Sequence, residues 1–386
     1  MSDIDPQDLA RGLADVPLFR EIQRVLMAQS GPVNWEIARQ IARAVSEAGG
    51  VGVSADEKDT EELLEAARIA ELHLTRLTGL ESPEALERVE VLDRRSWADR
   101  NLDGMKPLIE RFAMRLGVQL AGGELPAGMG GLPMMQGVMG AVGPFLLGVQ
   151  VGFLVGYLSR RVLGQYDLCL PRPGDETLYF VFPNIVAVER ELEFEPQQFR
   201  LWLALHEVTH HLEFKGPKWT RSHFIGLIEN FIDASDVDSQ QLLEKLQGFG
   251  SPDNWSYLAE HPEELLPMMM TDAQRKVAND IQAFMAVLEG FAEWAMDEAG
   301  RELLPEFEKM REGINRRRVE RSSVEKMLEG ILGMDLKREQ YRQGEKFVRT
   351  VANAEKLSLI WEGPENLPDI TEVENPAAWL SKVAFG

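Results

Sequence analysis

The chain has 386 residues, of which 44% are hydrophobic and 27% charged, a globular composition with room for one large core or two ordinary domains. Its 63 acidic side chains against 41 basic ones give a formal net charge of −22, which repels phosphate backbones and anionic bilayers and argues against nucleic-acid and membrane-surface partners. The single cysteine, Cys169, excludes an intrachain disulfide framework and a Cys-based zinc site.

The N-terminal stretch MSDIDPQDLARGLADVPLF has no basic n-region and no apolar h-region, so a cytoplasmic location without a secretory signal is expected. Residues Asn34–Glu47 place Ile37, Ile41 and Val45 four apart on one helical face. Gly49, Gly50 and Gly52 then mark a loop, and Glu57–Leu77 has a helical pattern with an acidic outer face. Ser82-Pro83-Glu84-Ala85 has the form of a helix start, with serine as cap and proline at the first helical position. The helical pattern resumes over Trp97–Leu116.

Leu125–Ser159 carries no charge and is rich in Gly and Met, with Gly148, Gly152 and Gly156 spaced for close backbone contact. Such a stretch is long enough to cross a bilayer, which requires roughly 20 apolar residues. Pro133, Pro144, Gln136 and Gln150 interrupt it, so a pair of short buried helices is expected in preference to a membrane hairpin at 125–159. Tyr166–Leu170, the turn Pro171–Gly174 and Leu178–Phe182 form the only strand-like stretch and predict a β-hairpin. From Pro196 onward the pattern is mainly helical. Thr271 to Gln274 forms a capping box, and the helix it opens runs without proline to Gly300. The Pro- and Glu-rich stretch 363–375 is expected to lie extended on the surface. The fold class predicted is mainly α (α+β), with a helical N-terminal region over 1–124 and a region over 125–386 that holds the candidate site, the two forming one continuous compact unit.

The chemistry concentrates in His206-Glu207-Val208-Thr209-His210, an H-E-x-x-H motif inside the helix that Pro196 opens and Gly216-Pro217 ends. Residues four apart sit one turn above each other, so both imidazoles can face one metal ion. Glu207 is turned about 100° from His206, where its carboxylate reaches a metal-bound water rather than the metal. Phe199, Leu203, His206 and His210 step 4, 3, 4 along one inward face. Unpartnered imidazoles are costly there, and zinc is favoured over two core histidines bonded to carboxylates.

A catalytic zinc needs a third protein ligand and an open position. Glu289 interrupts the apolar side of the 271–300 helix and is the candidate, while Glu293, one turn on, could fix the tautomer of a ligand histidine. Gly290 beside it costs about 1 kcal/mol relative to Ala in mid-helix, which predicts another backbone packed close by. Arg221 and His223 are candidates to stabilise an oxyanion. His211 points away from the ligand face and reads as solvated or supporting. No phosphate loop or dinucleotide fingerprint is present.

His206-Glu-Val-Thr-His210 joined to Glu289-Gly-Phe-Ala-Glu293 resembles a zincin in which a distant glutamate completes the site. In particular the chain is similar to an actinobacterial and chloroflexal family of zincin-like metallopeptidases often labelled as associated with coenzyme F420 biosynthesis. The likeness includes Leu158–Asp167, Pro183–Ile185, Trp219–His223, Glu289–Asp297 and Gln340–Val348. The resemblance implies a mostly helical zincin-like fold, no membrane hairpin and a zinc hydrolase. The family commonly carries a histidine after its Glu-Gly pair, where this chain has Phe291.

The expectation is therefore a zinc-dependent metallopeptidase acting on a peptide or protein substrate. His206, His210 and Glu289 would hold Zn²⁺, Glu207 would activate water, and the substrate would add alongside Leu178–Phe182. The alternative is a catalytically silent zincin scaffold that keeps a structural metal and serves binding or regulation.

Overall fold

The computed structural model describes residues 31–50, 52–83, 86, 88–122, 133–166, 177–234, 271–319 and 335–385. In chain order the elements are α1 (Trp35–Glu47), α2 (Glu57–Thr78), β1 (Val89–Leu92), α3 (Arg94–Gly122), α4 (Pro133–Ser159), β2 (Gly164–Tyr166), β3 (Leu178–Val181), α5 (Phe182–Glu191), α6 (Pro196–Lys215), α7 (Thr220–Asp233), α8 (Asp272–Leu303), α9 (Phe307–Val319), α10 (Asp335–Asn353), two short 3₁₀ turns, α11 (Ile370–Glu374) and α12 (Pro376–Phe385). The chain is mainly helical with one small sheet, as the sequence predicts. It divides into two interleaved units, Met1–Gly50 with Ala98–Arg160, and Val51–Trp97 with Arg161–Gly386.

The first unit is built on α1 and α4. Gly148, Gly152 and Gly156 lie against the backbone of α1, where a Cβ would stand 2.4–2.7 Å from the carbonyl oxygens of Asn34, Ala38 and Ala42. The glycine face thus provides the backbone contact its spacing predicts. Pro144 does not divide the segment into two helices. It lies inside α4, and its carbonyl accepts from the Asn34 N–H at 2.9 Å. Among the described residues, no helix is long and apolar enough to cross a membrane.

The second unit packs α6 against α2, α8 and the sheet, and α8 against α10. The sheet order is β1-β3-β2, with β1 parallel and β2 antiparallel to β3. Three sequence expectations change here. Ser82-Pro83 does not open a helix: Leu86 and Arg88 are non-helical, and Val89–Leu92 is a strand that the sequence reading missed. The β2–β3 antiparallel pair exists, but β3 is the central strand with both edges paired. A substrate therefore cannot extend the sheet alongside Leu178–Val181, and the remainder of the expected hairpin, with Cys169, lies outside the described residues. The 363–375 stretch is not extended: it forms a 3₁₀ turn and α11, the latter opened by an Asp369–Glu372 capping box.

Candidate metal centre

Two helices position the site. Helix α6 begins as the sequence dictates, with Pro196 in its first turn and the Glu195 carboxylate accepting from the Gln198 N–H. It is buried on almost every face rather than along one stripe, with Arg200, Trp202, Leu205 and Val208 enclosed as well as Phe199 and Leu203. Arg200 ties it to neighbouring helices through Glu189, Asp59 and Glu62 at 3.0, 3.0 and 2.6 Å. Helix α8 begins at the reciprocal Thr271–Gln274 capping box and runs past Gly300 to Leu303. At mid-length, a Cβ on Gly290 would stand 2.4 Å from the carbonyl carbon and oxygen of Gly344 in α10. This is the close backbone that the mid-helix glycine predicts, and it places the preceding residue, Glu289, over α6.

His206, His210 and Glu289 each direct one ligand-type atom into a common space, all within 4.8 Å of one another. The Glu289 Oε2 lies 3.9 Å from His206 Nε2 and 4.0 Å from His210 Nε2. These separations are too long for hydrogen bonds but approach the roughly 3.3 Å between donors that share a tetrahedral ion at about 2.0–2.1 Å. The imidazoles stand nearly perpendicular, with ring centroids 4.8 Å apart.

The second nitrogen of His210 is held from behind. Its Nδ1 lies 2.7 Å from Oε2 of Glu213, a carboxylate with no solvent exposure. The sequence offered such a partner only in Glu293, which lies on α8 and contributes to the field at Asp297. The signal for Glu213 was present in the sequence, an acid three residues beyond the second histidine on a wholly buried helix. Burial acts to lower the proton affinity of His210, but Glu213, Glu289 and Glu207 outweigh it and raise its pKa to about 10. The same concentration of negative charge that holds a proton there favours a divalent cation, so the donor set fits a metal ion.

Glu207 is buried, and its Oε2 accepts from the Tyr166 N–H at 3.2 Å. Desolvation raises its pKa to about 7, against the lowering effects of His210 and the Tyr166 N–H. A carboxyl group poised near neutrality can both take and return a proton. His211 is buried rather than solvated. Its ring meets the Tyr166 ring edge-on at 5.2 Å, and its Nε2 lies 3.9 Å from Glu71. Arg221 and His223 begin α7. His223 sits in an aromatic group with Trp219 and Phe284, where burial lowers its pKa while Asp280 opposes the shift. Phe291 is core, packed on Trp294 and Trp361.

A histidine pair on one helix, completed by a carboxylate from another and flanked by a buried glutamate, defines a zincin-type arrangement on a mainly helical scaffold. The profile described as zincin-like metallopeptidase matches residues 33–380. The chain belongs to the zincin-like metallopeptidase family. It is also similar to a crystal structure from Chloroflexus aurantiacus, described as a proposed hydrolase with a novel fold. That likeness has 32% identity and a TM-score of 0.67, covering 91% of this chain and 99% of the other. A search of curated proteins finds no match.

Proposed function

We propose that the protein is a zinc-dependent peptidase. The observation that supports this reading is the convergence of the His206, His210 and Glu289 donor atoms beside a buried glutamate whose pKa lies about 7. His206, His210 and Glu289 would hold the ion, and Glu213 would keep the His210 ring oriented with its Nε2 toward it. When bound, zinc supplies Lewis acidity to a peptide carbonyl and to water. Glu207 takes the proton from the attacking water and gives it to the departing amine. Arg221 and His223 remain the candidates for stabilising the oxyanion.

A second reading, a scaffold that keeps a metal without turnover, draws on the attachment of Glu207 to the β2 backbone, which also suits a structural carboxylate. Two measurements separate the readings. Purified protein should contain one zinc, which Glu289→Ala should lose. Wild type should cleave members of a mixed peptide library, whereas Glu207→Gln should keep the zinc and lose cleavage. A zinc-loaded wild type that cleaves nothing would favour the scaffold, and a wild type that binds no zinc would refute both readings.

A further inference from the structure

Gly164 opens β2 and pairs with Phe180 in the antiparallel ladder. Its φ is not positive, so its backbone conformation is open to any residue. A strand glycine of that kind weakens the strand unless something needs the space its side chain would fill. Here the occupant is Glu207. A Cβ on Gly164 would stand 2.6 Å from its Cγ, 2.8 Å from its Cδ and 2.9 Å from its Oε1. Two residues along the same strand, the Tyr166 N–H donates to the other carboxylate oxygen at 3.2 Å. A bare backbone surface and one N–H, both from β2, thus bracket a carboxylate that comes from α6.

We propose that Gly164 is a positioning residue, whose missing side chain and the neighbouring Tyr166 N–H form a seat that fixes the Glu207 carboxylate beside the His206–His210–Glu289 group. This rests on the reading of Glu207 as the proton acceptor. The three nearest atoms to an added methyl all belong to one flexible side chain, so strand and helix keep their places while the carboxylate shifts. Normal carbon–carbon contact begins near 3.5 Å, which sets the shift at about 1 Å, and misplacement on that scale costs on the order of 100-fold in a positioned reaction.

The test uses the full-length zinc-loaded protein and acetohydroxamate, a chelating acid whose hydroxyl proton passes to an adjacent acceptor while its oxygen keeps the electron pair. Zinc affinity is read by chelator competition and acetohydroxamate affinity by calorimetry. The variants are Glu207→Gln, Glu207→Asp, Gly164→Ala and the double variant Gly164→Ala/Glu207→Asp. All should hold zinc as wild type does. Glu207→Gln and Gly164→Ala should each weaken acetohydroxamate by about 10–100-fold, the range for a lost hydrogen bond to a charged group. The double variant, with a shorter acid beside the added methyl, should bind it more tightly than Gly164→Ala.

Unchanged acetohydroxamate binding in Gly164→Ala beside a weakened Glu207→Gln would overturn the positioning role and leave the proposed function standing. Loss of zinc in Gly164→Ala, or simple additivity in the double variant, would overturn it as well. Unchanged binding in Glu207→Gln would remove the proton acceptor itself and refute the proposed function with it. If Gly164→Ala does not fold but the double variant does, the clash between the two residues is read in stability and the inference holds; if neither folds, the glycine is structural and the inference fails.

Discussion

Gly290 and Gly344 meet backbone to backbone: a Cβ on Gly290 would lie 2.4 Å from the carbonyl of Gly344, and one on Gly344 would lie 2.1 Å from the carbonyl oxygen of Ala286. Neither helix can relieve this overlap by turning a side chain, so α8 and α10 would have to separate. Alanine at either position improves helix propensity by about 1 kcal/mol, but forced overpacking costs about 1–3 kcal/mol, more where backbone must move. Gly290→Ala and Gly344→Ala should therefore both lower stability in urea denaturation. Because Glu289 adjoins the crossing, Gly290→Ala should also weaken zinc binding in chelator competition. Stability at or above that of wild type would show that the helices separate without cost.

Farther along α8, Asp297 has no solvent exposure and carries an ion network at its Oδ2. Arg311 is 2.8 Å away and Arg301 is 3.5 Å away, with Arg349 in direct contact, while Glu345 joins Arg311 and Arg349 at 3.1 and 2.9 Å. Removing this acid takes a buried partner from three half-exposed guanidinium groups on α8, α9 and α10 that keep Glu345 and Glu298. The cost is therefore that of lost charged hydrogen bonds, about 1.5–3 kcal/mol, rather than that of an unpaired buried charge. Asp297→Ala should lose stability on that scale in urea, with Asp297→Asn losing less because it keeps an acceptor. Zinc affinity should follow only to the extent that α8 loosens. A loss below about 1 kcal/mol for the alanine variant would mean the arginines find other partners.

Glu213 supplies a third test, through the metal centre itself. Its contact with His210 Nδ1 fixes which ring nitrogen faces Glu289. Removing such a partner lowers metal affinity by about 10–100-fold. Glu213→Ala should show that loss in chelator competition, whereas Glu213→Gln retains an acceptor for the Nδ1 proton and should lose less. Equal zinc affinity in wild type and Glu213→Ala would show that the ring is held by packing alone.

What the sequence revealed follows from how local each signal is. The span of α6, the capping box of α8, the faces of His206 and His210 and the awkward position of Glu289 all depend on residues within one or two turns. The Gly290 contact could be anticipated, but not its partner Gly344, because nothing local names the opposing helix. Val89–Leu92 was hidden because four residues carry little periodicity and their partners, Leu178–Val181, lie 89 positions along the chain. Ser82-Pro83 misled because serine and proline serve turns as readily as helix starts. Glu213 was overlooked although it shares a helix with the motif, since a charge on an acidic chain draws attention only once its burial is known. Gly164 could not have been singled out at all: its meaning lies in a side chain 43 positions away.

His211 gives the fold a defined acid sensitivity. Burial alone holds its pKa down to about 4, against 6.5 for an exposed imidazole. Below pH 6.5 the unfolded chain takes up a proton that the folded chain refuses until about pH 4, so the unfolded state gains stability as the pH falls through that interval. The stabilisation from keeping this ring neutral is fully present above pH 6.5 and is lost on acidification, by about 3 kcal/mol in all. His211→Phe keeps a ring against Tyr166 and has nothing to protonate. Urea denaturation of both proteins at pH 7.0 and 4.5, with metal removed by chelation, isolates this contribution because every other titrating group is shared. The variant should lose less stability between the two pH values by about 2–3 kcal/mol. Parallel losses would place a compensating acid against the His211 ring, with Glu71, 3.9 Å from its Nε2, the first candidate.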